Sequence, residues 1–341
     1  MKPLREGEVL MEKARRTIIY ALGHFLIDFL CAYGMFCFCR PWQGWLTAVL
    51  VYNFCAFALQ MPLGLVADRL GAERSFAVLG CALTLGACVL LRELPPVFAV
   101  VAGLGNALYH VGGGVAVLHA YPRRAGPLGL FVSPGAFGIF FGTIGGNNAS
   151  LILYPALAAA ALCAIGILGL CRGEEAPALD VDARGAGTAA ILCLFLVVCL
   201  RSCLGFLFTF PWKTGTWATL AVCGVVLGKT AGGYVSDLIG AKWASVASLG
   251  LAAVLFLLSG DPVCGTLAIF LFNMSMPITL RAAADALPGM PGFSFGLLTF
   301  ALFLGFLPTW LGIPAPGTGW FLSLGAAVSL GVLLPGLRKE K

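Results

Sequence analysis

The chain has 341 residues, 60% of them hydrophobic and only 11% charged, with a formal net charge of +6. So few charges cannot cover a soluble domain of this length, and a mean hydropathy of +0.97 points to a protein that crosses a membrane many times. The basic residues are scattered through short turns instead of clustered, which excludes a nucleic-acid partner.

Met1 to Arg16 is polar and charged. The apolar run that follows, about 17–39, is long enough to span and lacks a small-residue cleavage site, so it reads as a first membrane helix and not a signal peptide. Asp28 lies near its middle, with His24 one turn earlier on the same face. A charge at the bilayer centre costs ~2.5–3.5 kcal/mol on insertion scales, so each one calls for a partner or a function. A buried carboxylate whose cationic partner can switch away is a proton-binding site.

Span two, about 44–66, runs into Gly64-Leu-Val-Ala-Asp68-Arg69-Leu-Gly71, with Arg74 just beyond. Spans three and four follow at about 75–92 and 96–119. Span four carries Asn106 and His110 near its middle, and Gly112 to Gly114, which read as close helix packing and not as a phosphate loop. His119 ends this span beside the Tyr121-Pro-Arg-Arg turn and is interfacial. Span five, about 127–147, contains Pro134-Gly135 and a small-x-x-x-small face at Gly138, Gly142 and Gly146. Span six covers about 150–171.

The longest polar stretch, Arg172 to Arg184, joins an expected N-terminal bundle at 1–171 to a C-terminal one at 188–341 through a linker at 172–187. Span seven, about 188–209, has Arg201 near its middle. Span eight, about 215–236, holds Lys229 at depth and runs into Gly233-Tyr-Val-Ser-Asp237-Leu-Ile-Gly240, followed by Lys242. This segment repeats the one after span two: 233 − 64 and 237 − 68 both give 169, about half the chain. A half-length repeat predicts two related bundles with a path between them. The last four spans fall at about 243–259, 263–281, 292–311 and 317–336, with Asn273 near the middle of the tenth. The expected fold is therefore an all-α integral membrane protein of about twelve transmembrane helices in two pseudo-symmetric six-helix bundles.

With the N-terminus inside, only Arg40, Arg92 and Lys213 of the basic residues in the turns fall outside, so both termini are expected in the cytoplasm and the number of spans even. The thirteen cysteines sit almost entirely in apolar runs and act as small apolar residues. There is no CxxC pair, and three isolated histidines offer no metal spacing, so neither a metal nor a cofactor is expected. Gly292-Phe-Ser294-Phe-Gly296 fits a nucleophile elbow, but it opens a helix and no histidine follows residue 119, so no enzyme activity is expected.

Twelve spans, the half-length repeat and G-x-x-x-D-[R]-x-G after spans two and eight resemble the major facilitator superfamily over essentially the whole chain. The resemblance implies two halves that rock around a cavity lined by spans one, four, seven and ten. It also implies that each motif aspartate pairs with basic groups and with a helix N-terminus of the other half, latching the outward-facing state. Asp68 with Arg69, Arg74 and the glycines Gly64 and Gly71 would form one latch; Asp237 with Lys242, Gly233 and Gly240 would form the other. The chain departs from the family at Ala72-Glu73-Arg74 and at Leu238. Gly23-His24-Phe-Leu-Ile-Asp28, the stretch from Gly103 to His110, and Ser275-Met-Pro277-Ile-Thr279 are similar to the fosmidomycin-resistance branch, with Val111 where that branch has proline.

The implied activity is proton-coupled efflux of a drug-like or anionic compound from a bacterial inner membrane. Uptake of a small organic anion is the alternative; a non-transporting receptor or an intramembrane enzyme is the alternative of another class. Asp28 would carry the proton with Arg201 as its switchable partner and His24 beside it; His110, Asn106, Asn273 and Lys229 would shape the substrate site. Arg201 and Lys229 outnumber Asp28, which favours an anionic substrate. The expected partners are the proton, the small molecule and the lipid bilayer, with the chain acting as a monomer.

Overall fold

The computed structural model describes residues 6–171, 187–315 and 319–337, so the expected linker at 172–187 lies outside the described residues except for Gly187. The described residues form twelve membrane helices and no strand. They are α1 Gly7–Cys39, α2 Trp45–Leu70, α3 Glu73–Leu90, α4 Pro95–Ala120, α5 Gly126–Asn147, α6 Leu153–Leu170, α7 Thr188–Leu207, α8 Gly215–Ile239, α9 Ala241–Leu257, α10 Pro262–Ala286, α11 Pro291–Trp310 and α12 Gly319–Gly336. Eleven are long and apolar enough to cross a membrane; α9, with 17 residues, is shorter. Most helices lie close to where the hydropathy pattern places them, because apolar length is the dominant signal in a chain of this kind, but α1 starts at Gly7 instead of about 17 and α10 runs on to Ala286 instead of about 281.

Two helices are broken where the sequence breaks them. α5 divides at Ser133 into Gly126–Val132 and Pro134–Asn147, and proline can neither donate to the preceding turn nor fit against it. α10 divides at Met274 into Pro262–Asn273 and Ser275–Ala286. Gly71, at φ 57°, closes α2 in a left-handed turn with its amide on the Ala67 carbonyl.

Glycines bring the helices close. A Cβ on Gly138, Gly142 or Gly146 of α5 would lie 2.3, 2.3 and 2.4 Å from the carbonyl oxygens of Phe25, Phe29 and Tyr33 in α1. The small-x-x-x-small face is thus a backbone-to-backbone contact, which lets dispersion and Cα–H contacts hold helices together where lipid supplies no hydrophobic drive. A Cβ on Gly112 would lie 2.4 Å from the Glu73 carbonyl oxygen of α3, so the glycine run in α4 is likewise a packing device. All thirteen cysteines are free, and several bond between helices, as Cys88 Sγ does to the Leu30 carbonyl at 3.7 Å.

The helices before and after the linker meet along α2 against α11 and α5 against α8. Here too there is no room for side chains. A Cβ on Gly64 would sit 2.0 Å from the Gly292 oxygen, and one on Gly296 2.2 Å from the Gln60 oxygen. On the other seam, a Cβ on Gly233 would lie 2.4 Å from the Ala125 oxygen and one on Gly129 2.5 Å from the Lys229 oxygen. Gln60 and Lys229, like Gly64 and Gly233, are 169 residues apart and occupy matching places, so the sequence repeat is a repeat in space. Gly292 and Gly296 flank a fully buried Ser294 whose hydroxyl donates to the Pro291 carbonyl, which explains that glycine spacing without catalysis.

Candidate functional site

Four polar side chains converge inside the first six helices. On α1, His24 and Asp28 are one turn apart, 5% and 7% exposed. On α4, Asn106 and His110 have the same spacing, 2% and 7% exposed. The Asn106 amide donates to Asp28 Oδ1 at 2.8 Å. His24 Nε2 lies 3.2 Å from Asp28 Oδ2, and His110 Nε2 lies 3.6 Å from Oδ1. The two imidazoles meet Nε2 to Nε2 at 2.8 Å.

The outer ring nitrogens settle how many protons this pair holds. His24 Nδ1 lies 2.9 Å from the Phe131 carbonyl oxygen and His110 Nδ1 2.8 Å from the Asn106 carbonyl oxygen. A carbonyl only accepts, so both Nδ1 atoms carry hydrogen. A 2.8 Å contact between the two Nε2 atoms then requires one further proton, since two lone pairs would repel at that distance. With that proton the pair is an imidazole–imidazolium, and the Asp28 carboxylate is placed as counter-charge to either ring.

The break in α5 builds this arrangement. Pro134 interrupts the helical ladder, and three consecutive residues before it turn to side chains of other helices. The Phe131 carbonyl takes His24 of α1; the Val132 carbonyl takes Lys229 Nζ of α8 at 3.3 Å; the Ser133 hydroxyl meets Thr230 of α8 at 2.7 Å. Gly135 then leaves the space the cluster occupies: a Cβ there would lie 2.3 Å from both Asp28 Oδ2 and His24 Nε2. Neither the two carbonyls nor Gly135 was assigned a role from sequence, although Pro134-Gly135 inside an apolar run signals the break.

The histidines are not isolated, contrary to the expectation from their spacing. His24, Asp28 and His110 bring their ligand atoms within 4.8 Å of one another, a set that suits a divalent metal. The Nε2–Nε2 distance of 2.8 Å is a hydrogen-bond length, shorter than the ~3.3 Å edge that bonds of ~2.0–2.1 Å impose in a tetrahedral site.

Arg201 does not partner Asp28. It is 8% exposed in α7, and its one close polar contact among the described residues is the Thr279 hydroxyl at 3.5 Å. Equal depth on two helices put Arg201 and Asp28 at one level of the bilayer without bringing them into contact. Lys229 lies within electrostatic reach of Arg201, Asp28 and His110. Asn273 stays out of the cluster, its amide donating to the Ile269 carbonyl of its own helix at the α10 break.

At one face of the bundle, both motif aspartates cap a helix across the seam. Asp68 accepts the amides of Gly292 and Phe293 at 2.7 and 2.8 Å, at the start of α11. Asp237 accepts those of Ala125 and Gly126 at 2.8 and 2.9 Å, at the start of α5. Helix-initial amides have no partner of their own and carry the positive end of the dipole, so a carboxylate suits them. The expected basic partners are elsewhere. Arg69 is exposed, Lys242 lies 5.6 Å from the Trp243 ring centroid, and Arg74 lines a 50 Å³ cavity with Arg16, Glu73 and His119. With both carboxylate oxygens engaged by amides, those cations remain in solvent or join other groups. On the opposite face, Trp310 Nε1 donates to the Leu46 carbonyl at 3.0 Å, joining α11 to α2.

No family model and no curated protein matches the chain. Solved structures do. A crystal structure of the E. coli fucose:proton symporter FucP superposes with a TM-score of 0.69 at 14% identity, covering 98% of this chain and 99% of that one. A crystal structure of FucP described as a major facilitator superfamily transporter in the outward conformation gives 0.62 at 15% identity, covering 94% and 97%. The chain has the major facilitator fold.

Proposed function

We propose that this protein is a secondary transporter that moves a small molecule by rocking its two halves, and that it couples the movement to protons through the His24–His110–Asp28 cluster. The observation that carries the reading is the 2.8 Å Nε2–Nε2 contact, which stores one removable proton beside a fixed carboxylate inside a transporter fold. The carbonyl that orients His24 belongs to α5, a helix of the seam, so movement along that seam disturbs the proton site. Asp28 stabilises the shared proton, and Asn106 holds Asp28 in register. With both termini in the cytoplasm, the face capped by Asp68 and Asp237 is the cytoplasmic one, and this conformation is closed on that side.

Efflux from a bacterial inner membrane is what the likeness to the fosmidomycin-resistance branch implies; FucP is named a symporter. Proteoliposomes with an imposed pH difference distinguish the two, since substrate and proton move oppositely in one case and together in the other. Wild type should accumulate or expel substrate according to the pH difference. Asp28→Asn and His24→Gln should lose that drive while binding persists. Normal transport with a full pH response in Asp28→Asn would overturn the coupling assignment.

A further inference from the structure

Arg201 and Lys229 leave the interior with more positive charge than it can balance. Asp28 is matched by the proton its two histidines share. Among the described residues no carboxylate lies within ion-pair distance of Arg201 or Lys229, and what each does contact is a neutral oxygen at the long end of hydrogen bonding, 3.5 and 3.3 Å. Uncompensated charge at membrane depth is expensive, and like charges within reach of one another add to the cost. Thr279, which meets Arg201, donates its hydrogen to the Met276 carbonyl at 2.8 Å and so offers the guanidinium only a neutral lone pair, not a counter-charge. A guanidinium with most of its five donors unspent and an ammonium within electrostatic reach of it supply a fork and a point charge, which suit the oxygens of a carboxylate or phosphonate.

We propose that Arg201 and Lys229 bind the anionic head of a small organic carboxylate or phosphonate, and that this anion is the transported substrate. The proposal rests on the transporter reading above and adds the substrate class. Arg201 on α7 and Lys229 on α8 belong to the C-terminal helices, the His24–His110 pair to the N-terminal ones. The link between them is covalent. Phe131 and Val132 are consecutive in α5; the carbonyl of the first holds His24 and that of the second holds Lys229. An anion that draws Lys229 away from Val132 acts on the peptide unit next to the one that orients the proton site. The other titratable groups near Asp28 are Cys31 on its own helix and Tyr52 on α2.

The test uses the full chain in lipid nanodiscs and a panel of acetate, lactate, succinate, citrate, methylphosphonate and aminoethylphosphonate, with choline, tetraphenylphosphonium and glucose as comparators. The readouts are saturable change in melting temperature and in tryptophan fluorescence. At least one carboxylate or phosphonate should bind wild type. Arg201→Gln and Lys229→Gln should each weaken it at least ~10-fold, the loss of one charge-assisted contact. Arg201→Lys, which keeps the charge and loses the fork, should recover part of the affinity and controls for a fold defect. Binding only of cations or glucose, silence across the anion panel, or anion binding unchanged in the Arg201→Gln/Lys229→Gln double variant would each overturn the proposal. The two readings fail separately. Anion binding lost in the charge variants but no pH-driven transport sinks proton coupling alone; pH-driven movement of a cation sinks the anion site alone.

Discussion

Asp68 and Gly292 are 224 residues apart, yet the Gly292 amide donates to the Asp68 carboxylate at 2.7 Å and a Cβ on Gly292 would lie 2.8 Å from that carboxylate. The same relation holds between Asp237 and Gly126 on the second seam. Loss of a helix cap typically costs ~0.5–2 kcal/mol, enough to shift a two-state equilibrium several-fold. Asp68→Ala and Asp237→Ala should each populate the state open at this face, with the double variant doing so more strongly. Spin labels placed at Leu70 and Leu238 through an unnatural amino acid would report it as a longer distance; an unchanged distribution in the double variant would refute the role.

Gly135 is an indirect handle on the proton site. In Gly135→Ala the methyl group would lie 2.3 Å from both Asp28 Oδ2 and His24 Nε2, so the cluster must open. Overpacking of this kind costs ~1–3 kcal/mol. The variant should fold with a lowered melting temperature and lose pH-driven transport. Gly86→Ala in α3, which meets nothing within 4 Å, should keep both.

A shared proton needs both of its bases. His24→Gln and His110→Gln should therefore each remove nearly the whole pH response of transport, and the double variant should lose little more than either. Initial rates across a pH series in proteoliposomes measure this. Additive losses would mean that the two imidazoles work separately.

Outside the membrane, Asp261 starts α10 by accepting the amides of Val263 and Cys264 at 3.0 and 2.9 Å. The Cys264 amide, first among the causes, holds its pKa below the usual carboxylate value. A lowered folded-state pKa contributes stability that is present above the unfolded value and is lost as pH falls through the folded one. Melting curves from neutral to acidic pH should show a small acid-side loss in wild type. Asp261→Asn, which still caps but does not titrate there, should flatten that limb; Asp261→Ala should be less stable at neutral pH.

Much of the fold can be read from the chain because apolar length and the 169-residue offset are local or periodic signals. That each aspartate meets a helix N-terminus of the other half follows from the motif and its resemblance; which helix it caps, and that its basic partners lie elsewhere, does not. The proton cluster was legible only as a set of polar residues at similar depth. Its bonds join positions 78, 86 and 107 apart, and no local signal says that His110 turns to His24, or that Arg201 fails to reach Asp28. The backbone carbonyls at the α5 break were invisible for a further reason: Pro134 announces that a ladder is interrupted, not which side chain will take the freed oxygen.

The seams between the halves are paved with main chain: Gly64 on Gly292, Gly296 on Gln60, Gly233 on Ala125, Gly129 on Lys229. Interlocked side chains resist sliding because each must leave one hole before entering the next. Two nearly smooth backbone surfaces have few such steps. For two halves that rock as proposed, this geometry is a low-friction bearing at the pivot, and it would leave the preference for one conformation to a few polar contacts at the rim and the interior, where a proton or a substrate can reach them.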